Sequence, residues 1–157
     1  MVKHTVELIV PNARAEQFYD VMINPCDSRY SEWWPGEHLQ FHIVEKGDEN
    51  HLGDRVFVDE RLGKKHRLTA QSVVITANRP HKIEWRGRKL GMPVELELEF
   101  SDTDDGVRLK HEVRIGYLGV GRLFDPLIKL YFNKSFQNAI EEHCKTEWPK
   151  LVDYLAK

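Results

Sequence analysis

The stretch DPLIKLYFNKSFQNAIEEHCKTEWPKLVDYL, residues 125–155, carries the period of a helix. Asp125 is a suitable N-cap, and Pro126 stands at the first helical position, where its missing N–H costs nothing. At 100° per residue, Phe132, Phe136, Ala139, Ile140, Cys144, Leu151 and Leu155 fall on one broad apolar stripe. A single amphipathic helix is therefore expected over the whole stretch. His143 and Glu147 lie four residues apart and project within roughly 20° of Phe136, close to the middle of that stripe. A helix that buries an imidazole and a carboxylate there has either paired them with each other or put them to use. Pro149 should kink the helix or end its regular part after Trp148.

Upstream of this helix the chain reads as strands. Val94, Leu96, Leu98 and Phe100 alternate with Glu95, Glu97 and Glu99. After the turn signal Asp104-Asp105-Gly106, Val107, Leu109, His111, Val113 and Ile115 alternate with Arg108, Lys110, Glu112 and Arg114. The two outward rows carry opposite charge and should pair across the strands. Further strands are read at 3–10, 39–45, 54–62, 65–77 and 81–88, separated by glycine and proline signals. One short helix, 13–22, follows a cap at Asn12, turns Phe18, Val21 and Met22 inward, and stops at Asn24-Pro25. Residues 26–38 show no clear period and hold Tyr30, Trp33, Trp34, Pro35 and Gly36. Adjacent tryptophans are costly to leave in water, so they plug a core or close a cavity mouth. Residues 117–123 read as a glycine-punctuated apolar loop.

An antiparallel sheet with one solvated face needs a cover on the other, and only the final helix is long enough to supply it. The expected architecture is α+β, a curved sheet of about seven strands gripping a long C-terminal helix, with an internal cavity between them.

The chain has 157 residues, ordinary apolar and charged fractions and a formal charge of −2. That suits one globular domain with a real core and offers no basic field for nucleic acid. Lys and Arg are scattered, no run suits a membrane surface, and no apolar stretch suits membrane insertion. Met1 leads into a strand-like segment, which does not read as a signal peptide. Cys26 and Cys144 are far apart and are read as reduced thiols of a cytoplasmic protein. No serine or cysteine nucleophile, phosphate loop or Cys-x-x-Cys motif is recognisable.

The order of elements, together with Val6-Glu7-Leu8-Ile9-Val10-Pro11, the Ala15–Val21 helix, the Trp33-Trp34-Pro35-Gly36 loop and the terminal helix, resembles the START-related lipid-transfer superfamily (SRPBCC). These proteins are also called helix-grip or pollen-allergen-like. The resemblance covers essentially the whole chain and implies a deep cavity for hydrophobic or aromatic small molecules, in carriers, sensors, polyketide cyclases and a few hydrolases. A sharper resemblance is to the diacetylphloroglucinol hydrolases, metal-dependent carbon–carbon bond hydrolases that bind zinc through two His and two Glu. It implies His143 and Glu147 as a His-x-x-x-Glu ligand pair, His38 as the ligand after the aromatic-Pro loop, and Glu60 as the ligand on a following strand.

The residues themselves leave alternatives open. His143 and Glu147 can be a self-satisfied core pair. Glu60 shares a strand face with Val56, Val58 and Leu62, but an arginine such as Arg55 or Arg67 could neutralise it. A one-residue slip would also turn Asp59 inward instead. His42 rivals His38. His111 sits on an inward row and is expected in the cavity lining with Phe136, while Trp33, Trp34, Tyr117 and Phe132 either line the mouth of the cavity or serve as ordinary core packing. Three functions remain: metal-assisted hydrolysis of an aromatic or polyketide-like ketone, non-catalytic binding of a hydrophobic ligand, and metal-free cyclase or dehydratase chemistry with His143 as general base.

Overall fold

The computed structural model describes residues 1–157. Seven strands, β1 (Val2–Val10), β2 (His38–Glu45), β3 (Arg55–Leu62), β4 (His66–Asn78), β5 (Lys82–Lys89), β6 (Met92–Thr103) and β7 (Gly106–Ile115), form one antiparallel sheet. Its order is β1-β7-β6-β5-β4-β3-β2, so consecutive hairpins run from one edge until β7 meets β1. Helices α1 (Ala15–Ile23) and α2 (Asp27–Trp33) occupy the connection between the two edge strands. A 3₁₀ segment (Gly119–Phe124), α3 (Asp125–Tyr131) and α4 (Lys134–Leu155) follow the sheet.

The alternating rows of β6 and β7 divide as expected, with Leu98, Phe100, Val107 and Leu109 almost fully buried on the inner face. On the outer face the register sets Glu97 directly across from Glu112, a like-charge pairing. It is tolerated because Lys82 and Lys110 each reach Glu97 at 3.0 Å and Arg114 reaches it at 3.2 Å. Burial works against the Glu97 carboxylate, but its hydrogen bonds, including those from Lys110 and Lys82, hold it well below the usual carboxylate range.

The core lies between the inner face, α1 and α4. Trp148 anchors it, with ring centroids 5.1 Å from Phe18, 5.9 Å from Trp33 and 6.0 Å from Phe100. Ile140, Cys144 and Leu151 continue that buried face of α4, whereas Phe136 is half-buried and Leu155 is exposed. Both cysteines are free thiols. No helix is long and apolar enough to cross a membrane.

Several local expectations are corrected. The single helix over 125–155 is two helices. Phe132 leaves helical geometry at φ −86 and ψ 55, and Asn133 caps α4 by accepting the Phe136 N–H at 3.1 Å. The break follows from Asn133, whose short side chain competes for backbone donors, and from Phe132, which is 1% exposed and packs against His4 and Phe136. The cavity survives because α4 supplies the covering face by itself. Asp125 is the first residue of α3 and does not cap it; its carboxylate instead accepts from the Met1 ammonium at 2.9 Å. Pro149 does not end α4, which continues to Leu155. The carbonyl that the proline deprives of a donor is that of Lys145, on the exposed side, where water can replace the lost bond. Asn12 takes a positive φ of 59 in the turn, and the helix after it begins at Ala15. Part of the stretch read as aperiodic is helix α2.

Candidate functional site

The site begins with a cross-strand pair. His38, the first residue of β2, lies directly opposite Glu60 on β3. The register then shifts between His38 and Gln40, an extra residue on β2 that changes which side chains face inward. His38 and Phe41 are therefore both buried, while His42 turns out and meets Asp27 of α2 at 2.9 Å. Asp27 also accepts the Phe41 N–H at 2.7 Å, tying α2 to β2. On β3, Asp59 faces Arg67, which grips it through two bonds of 2.8 and 2.6 Å. Arg55 pairs with Glu45 at 3.4 Å. Neither arginine engages Glu60, which faces the cavity.

α4 brings His143 and Glu147 to the same place, and they do not satisfy each other. His143 Nε2 lies 3.6 Å from Glu60 Oε2, and Glu147 Oε1 lies 3.4 Å from His38 Nε2. One potential ligand atom from each of the four residues falls within 4.8 Å of all the others. Neither ring nitrogen of His38 or His143 has a hydrogen-bond partner, although both side chains are buried. Such orphaned imidazoles are costly unless something else occupies their lone pairs. Donors held about 2.0–2.2 Å from a tetrahedral ion are separated from one another by about 3.3–3.6 Å. The 3.4 and 3.6 Å contacts match that spacing. The cluster can hold a metal ion.

Tyr30 completes the setting. Its hydroxyl donates to Glu60 Oε2, and its ring stacks on His38 with centroids 3.8 Å apart and planes 4° from parallel. Trp34 stacks on His143 at 4.6 Å, and Trp33 donates its indole N–H to the Glu147 backbone carbonyl at 2.9 Å. The two tryptophans thus form a wall behind the cluster. Burial raises the Glu60 carboxyl, but His143, His38 and Tyr30 outweigh it and hold it at about 2. Burial lowers His143, yet Glu60, Glu147 and Glu37 outweigh it and raise the imidazole to about 9.

Glu60, His143 and Glu147 form part of the wall of a cavity of about 160 Å³ between α4 and the sheet. Most of the remaining lining is apolar, including Leu68, Leu96, Leu98, Val113 and Ile140. Phe136 and His111 also line it; His111 Nδ1 has no partner, and burial lowers the imidazole below its ordinary value. Cys144 lines it too, with its thiol pushed up by burial.

Four residues expected in the lining lie elsewhere. Trp33 and Trp34 back the cluster. Phe132 fills the space between His4 and Phe136. Tyr117 packs beside Phe124, with its hydroxyl donating to Gly91 O at 3.3 Å. The aromatic signal locates the right region, but the side chains are consumed by packing. Tyr30 is a site residue that sequence reasoning misses. The only available signal is its spacing of three and four residues from Trp33 and Trp34, too short a run to establish a helix.

No protein-family description matches this sequence, and no curated protein does. The likeness is to solved structures. Ara h 8.0201 superposes with a TM-score of 0.66 at 12% identity, covering 99% of both chains. TTHA0849 from Thermus thermophilus gives 0.61 at 14% identity over 99% of this chain and 97% of that one. The di-domain ARO/CYC BexL from the BE-7585A biosynthetic pathway gives 0.65 at 15% identity, with 98% of this chain matching 49% of that one. At 12–15% identity the likeness is one of fold: a curved antiparallel sheet gripping a long C-terminal helix.

Proposed function

We propose that this chain is a metal-dependent hydrolase acting on a small hydrophobic or aromatic, polyketide-like ketone bound between α4 and the sheet. The observation that carries the reading is the convergence of His38, Glu60, His143 and Glu147 on one point beside an apolar cavity, with four unpartnered imidazole nitrogens. Two imidazoles and two carboxylates without a thiolate suit a zinc-class ion and differ from the cysteine-rich sets of closed structural sites. When bound, such an ion supplies Lewis-acid polarisation of a carbonyl or a water of lowered pKa.

The chain's own residues do the rest. Tyr30 fixes the rotamer of Glu60, and the Trp34 ring fixes that of His143. The apolar wall holds the body of the ligand and excludes water. His111 offers a neutral imidazole to a polar substituent. Metal-free chemistry with His143 as general base is opposed by Glu60, Glu147 and Glu37, which favour the protonated form of that imidazole. A non-catalytic carrier or sensor of a hydrophobic ligand is supported by the same apolar lining, with the cluster then serving as an internal polar anchor. We infer a cytoplasmic location from the two free thiols.

The test is hydrolysis of a panel of acylated phenols and aromatic β-diketones by protein purified without a metal-affinity tag, with and without a chelator. Turnover abolished by chelation and restored by zinc supports the hydrolase. Unchanged ligand binding with no turnover in either state leaves the carrier.

The pH dependence has a fixed sign. In the metal-free protein, His143 raised to about 9 contributes stability below the unfolded value of 6.5 that disappears as pH rises through 9. Glu60, depressed to about 2, contributes stability above its unfolded value of 4.5 that is lost as pH falls toward 2. Zinc must displace the His143 proton, so metal affinity should rise with pH from neutrality to about 9. Calorimetry in buffers of different ionisation enthalpy should show about one proton released per ion near pH 7.

A further inference from the structure

The segment between β7 and α4 presents an unusual surface. α3 buries only Ile128, at 2% exposure, and turns Leu127 and Leu130 outward at 66% and 76%. Leu118, Val120, Leu123 and Phe124 extend the same exposed apolar series at 77%, 89%, 84% and 55%. The platform is built into the fold. Gly116, at φ +116, lets Ile128 seat where a Cβ would come within 2.8 Å of its Cδ1, and Gly121 lets the 3₁₀ segment close on Tyr117. The Tyr117 hydroxyl joins this segment to the β5–β6 turn, whose Leu90 is 75% exposed. So many exposed large apolar side chains in one segment mark an interaction surface.

Charge identifies the partner. The charged residues of 117–134 are Arg122, Lys129, Lys134 and a single acid, Asp125. Asp125 is shared between the Met1 ammonium at 2.9 Å and the Arg122 guanidinium at 4.0 Å, so the segment keeps a net positive charge. The face is therefore apolar and basic on a chain whose formal charge is −2. A two-fold contact with a second copy would bring two faces of the same positive charge together. An anionic lipid surface accepts both the leucines and the cations, because Lys and Arg snorkel to headgroups while their neighbours enter the acyl boundary. Tyr117 and Tyr131, 37% and 38% exposed, have the amphipathic character of residues at a membrane–water boundary. Tyr131 also lines the internal cavity, so the face runs to the cavity's rim.

We propose that this face docks on an anionic membrane surface, with Leu118, Leu123, Leu127 and Leu130 in the interface and Arg122 and Lys129 on lipid headgroups. All three cations fall between the end of β7 and the first residue of α4. The docking brings the rim of the cavity to the phase in which hydrophobic molecules dissolve.

The test is co-sedimentation with phosphatidylcholine vesicles, with and without phosphatidylglycerol. The full chain should bind the phosphatidylglycerol vesicles, less so at high salt. Leu123→Asp/Leu127→Asp should weaken partitioning at least about tenfold while leaving metal content and the thermal transition unchanged, since both side chains are already solvated. Arg122→Glu/Lys129→Glu should abolish the preference for phosphatidylglycerol. Absence of vesicle binding overturns the proposal. If gel filtration then shows a dimer that Leu123→Asp/Leu127→Asp dissociates, the face belongs to a second copy. Vesicle binding indifferent to both double substitutions overturns it as well.

Discussion

His143→Ala should lower zinc affinity by at least about 100-fold and reduce hydrolysis to background, because it removes a ligand contributed by the most rigid element of the site. Losses of outer-shell partners alone cost about 10–100-fold, so loss of a direct donor should exceed that range. The substitution also acts on the metal-free protein. It leaves Glu60, whose side chain is 13% exposed, with only Tyr30 and His38 to offset its buried charge. Removing one partner of such a pair costs about 3–5 kcal/mol. Chemical denaturation of the metal-free variant separates the two effects. His143→Gln provides the control, since its amide offers Glu60 a donor in place of the imidazole: stability should largely return, and zinc binding should not. An apolar fluorescent probe should occupy the cavity in both variants, as the lining of Leu68, Leu96, Val113 and Ile140 is untouched. Retention of zinc by His143→Ala would remove His143 from the ligand set.

Zinc should raise the melting temperature of the wild-type protein steeply. An ion that binds only the folded state contributes about 4 kcal/mol at a free concentration 1,000 times its dissociation constant. For a domain of this size each kcal/mol shifts the transition by about 2–4 °C, so an increase of about 8–16 °C is expected. A chelator should reverse it, and magnesium, which prefers octahedral oxygen ligands, should not reproduce it. Differential scanning calorimetry measures this directly. At the same zinc concentration, the shift in Glu60→Gln and in His143→Ala should fall to at most about a third of the wild-type shift, since each removes a donor.

The parts of the site that can be read in the sequence are those placed by unbroken periodicity. His143 and Glu147 are legible because the apolar stripe of α4 runs without interruption from Phe136 to Leu151, which fixes which face they share. Glu60 is legible as one of two readings, because Phe57 on the outward row of β3 leaves open a slip that would turn Asp59 inward. His38 is different. The extra residue between His38 and Gln40 reverses the parity of β2, so alternation applied backwards from Phe41 points His38 away from the cavity. Its placement rests on the family resemblance. Tyr30 lies on a helix of two turns whose N-cap residue, Cys26, makes no capping bond, leaving little local signal.

The break between α3 and α4 is obscured by Phe132, which continues the apolar stripe on both sides of it. Reading one helix there assigns Phe132 to the gripping face and leaves Leu127 and Leu130 on a back of no consequence. In the fold both leucines of that back are exposed, at 66% and 76%. Helical periodicity says which residues share a face, and neighbouring elements decide whether that face is covered.

Zinc K-edge X-ray absorption on protein purified without a metal-affinity tag and loaded with one equivalent of zinc tests the metal centre most directly. The cluster predicts one tightly held ion per chain with a first shell of two imidazole nitrogens and two carboxylate oxygens at about 2.0–2.2 Å. The imidazole scattering should fall by half in His38→Ala, which takes away one of the two rings. A spectrum of hydrated zinc, or one unchanged by substitution of His38 and His143, would contradict the assignment of these four residues as a metal site.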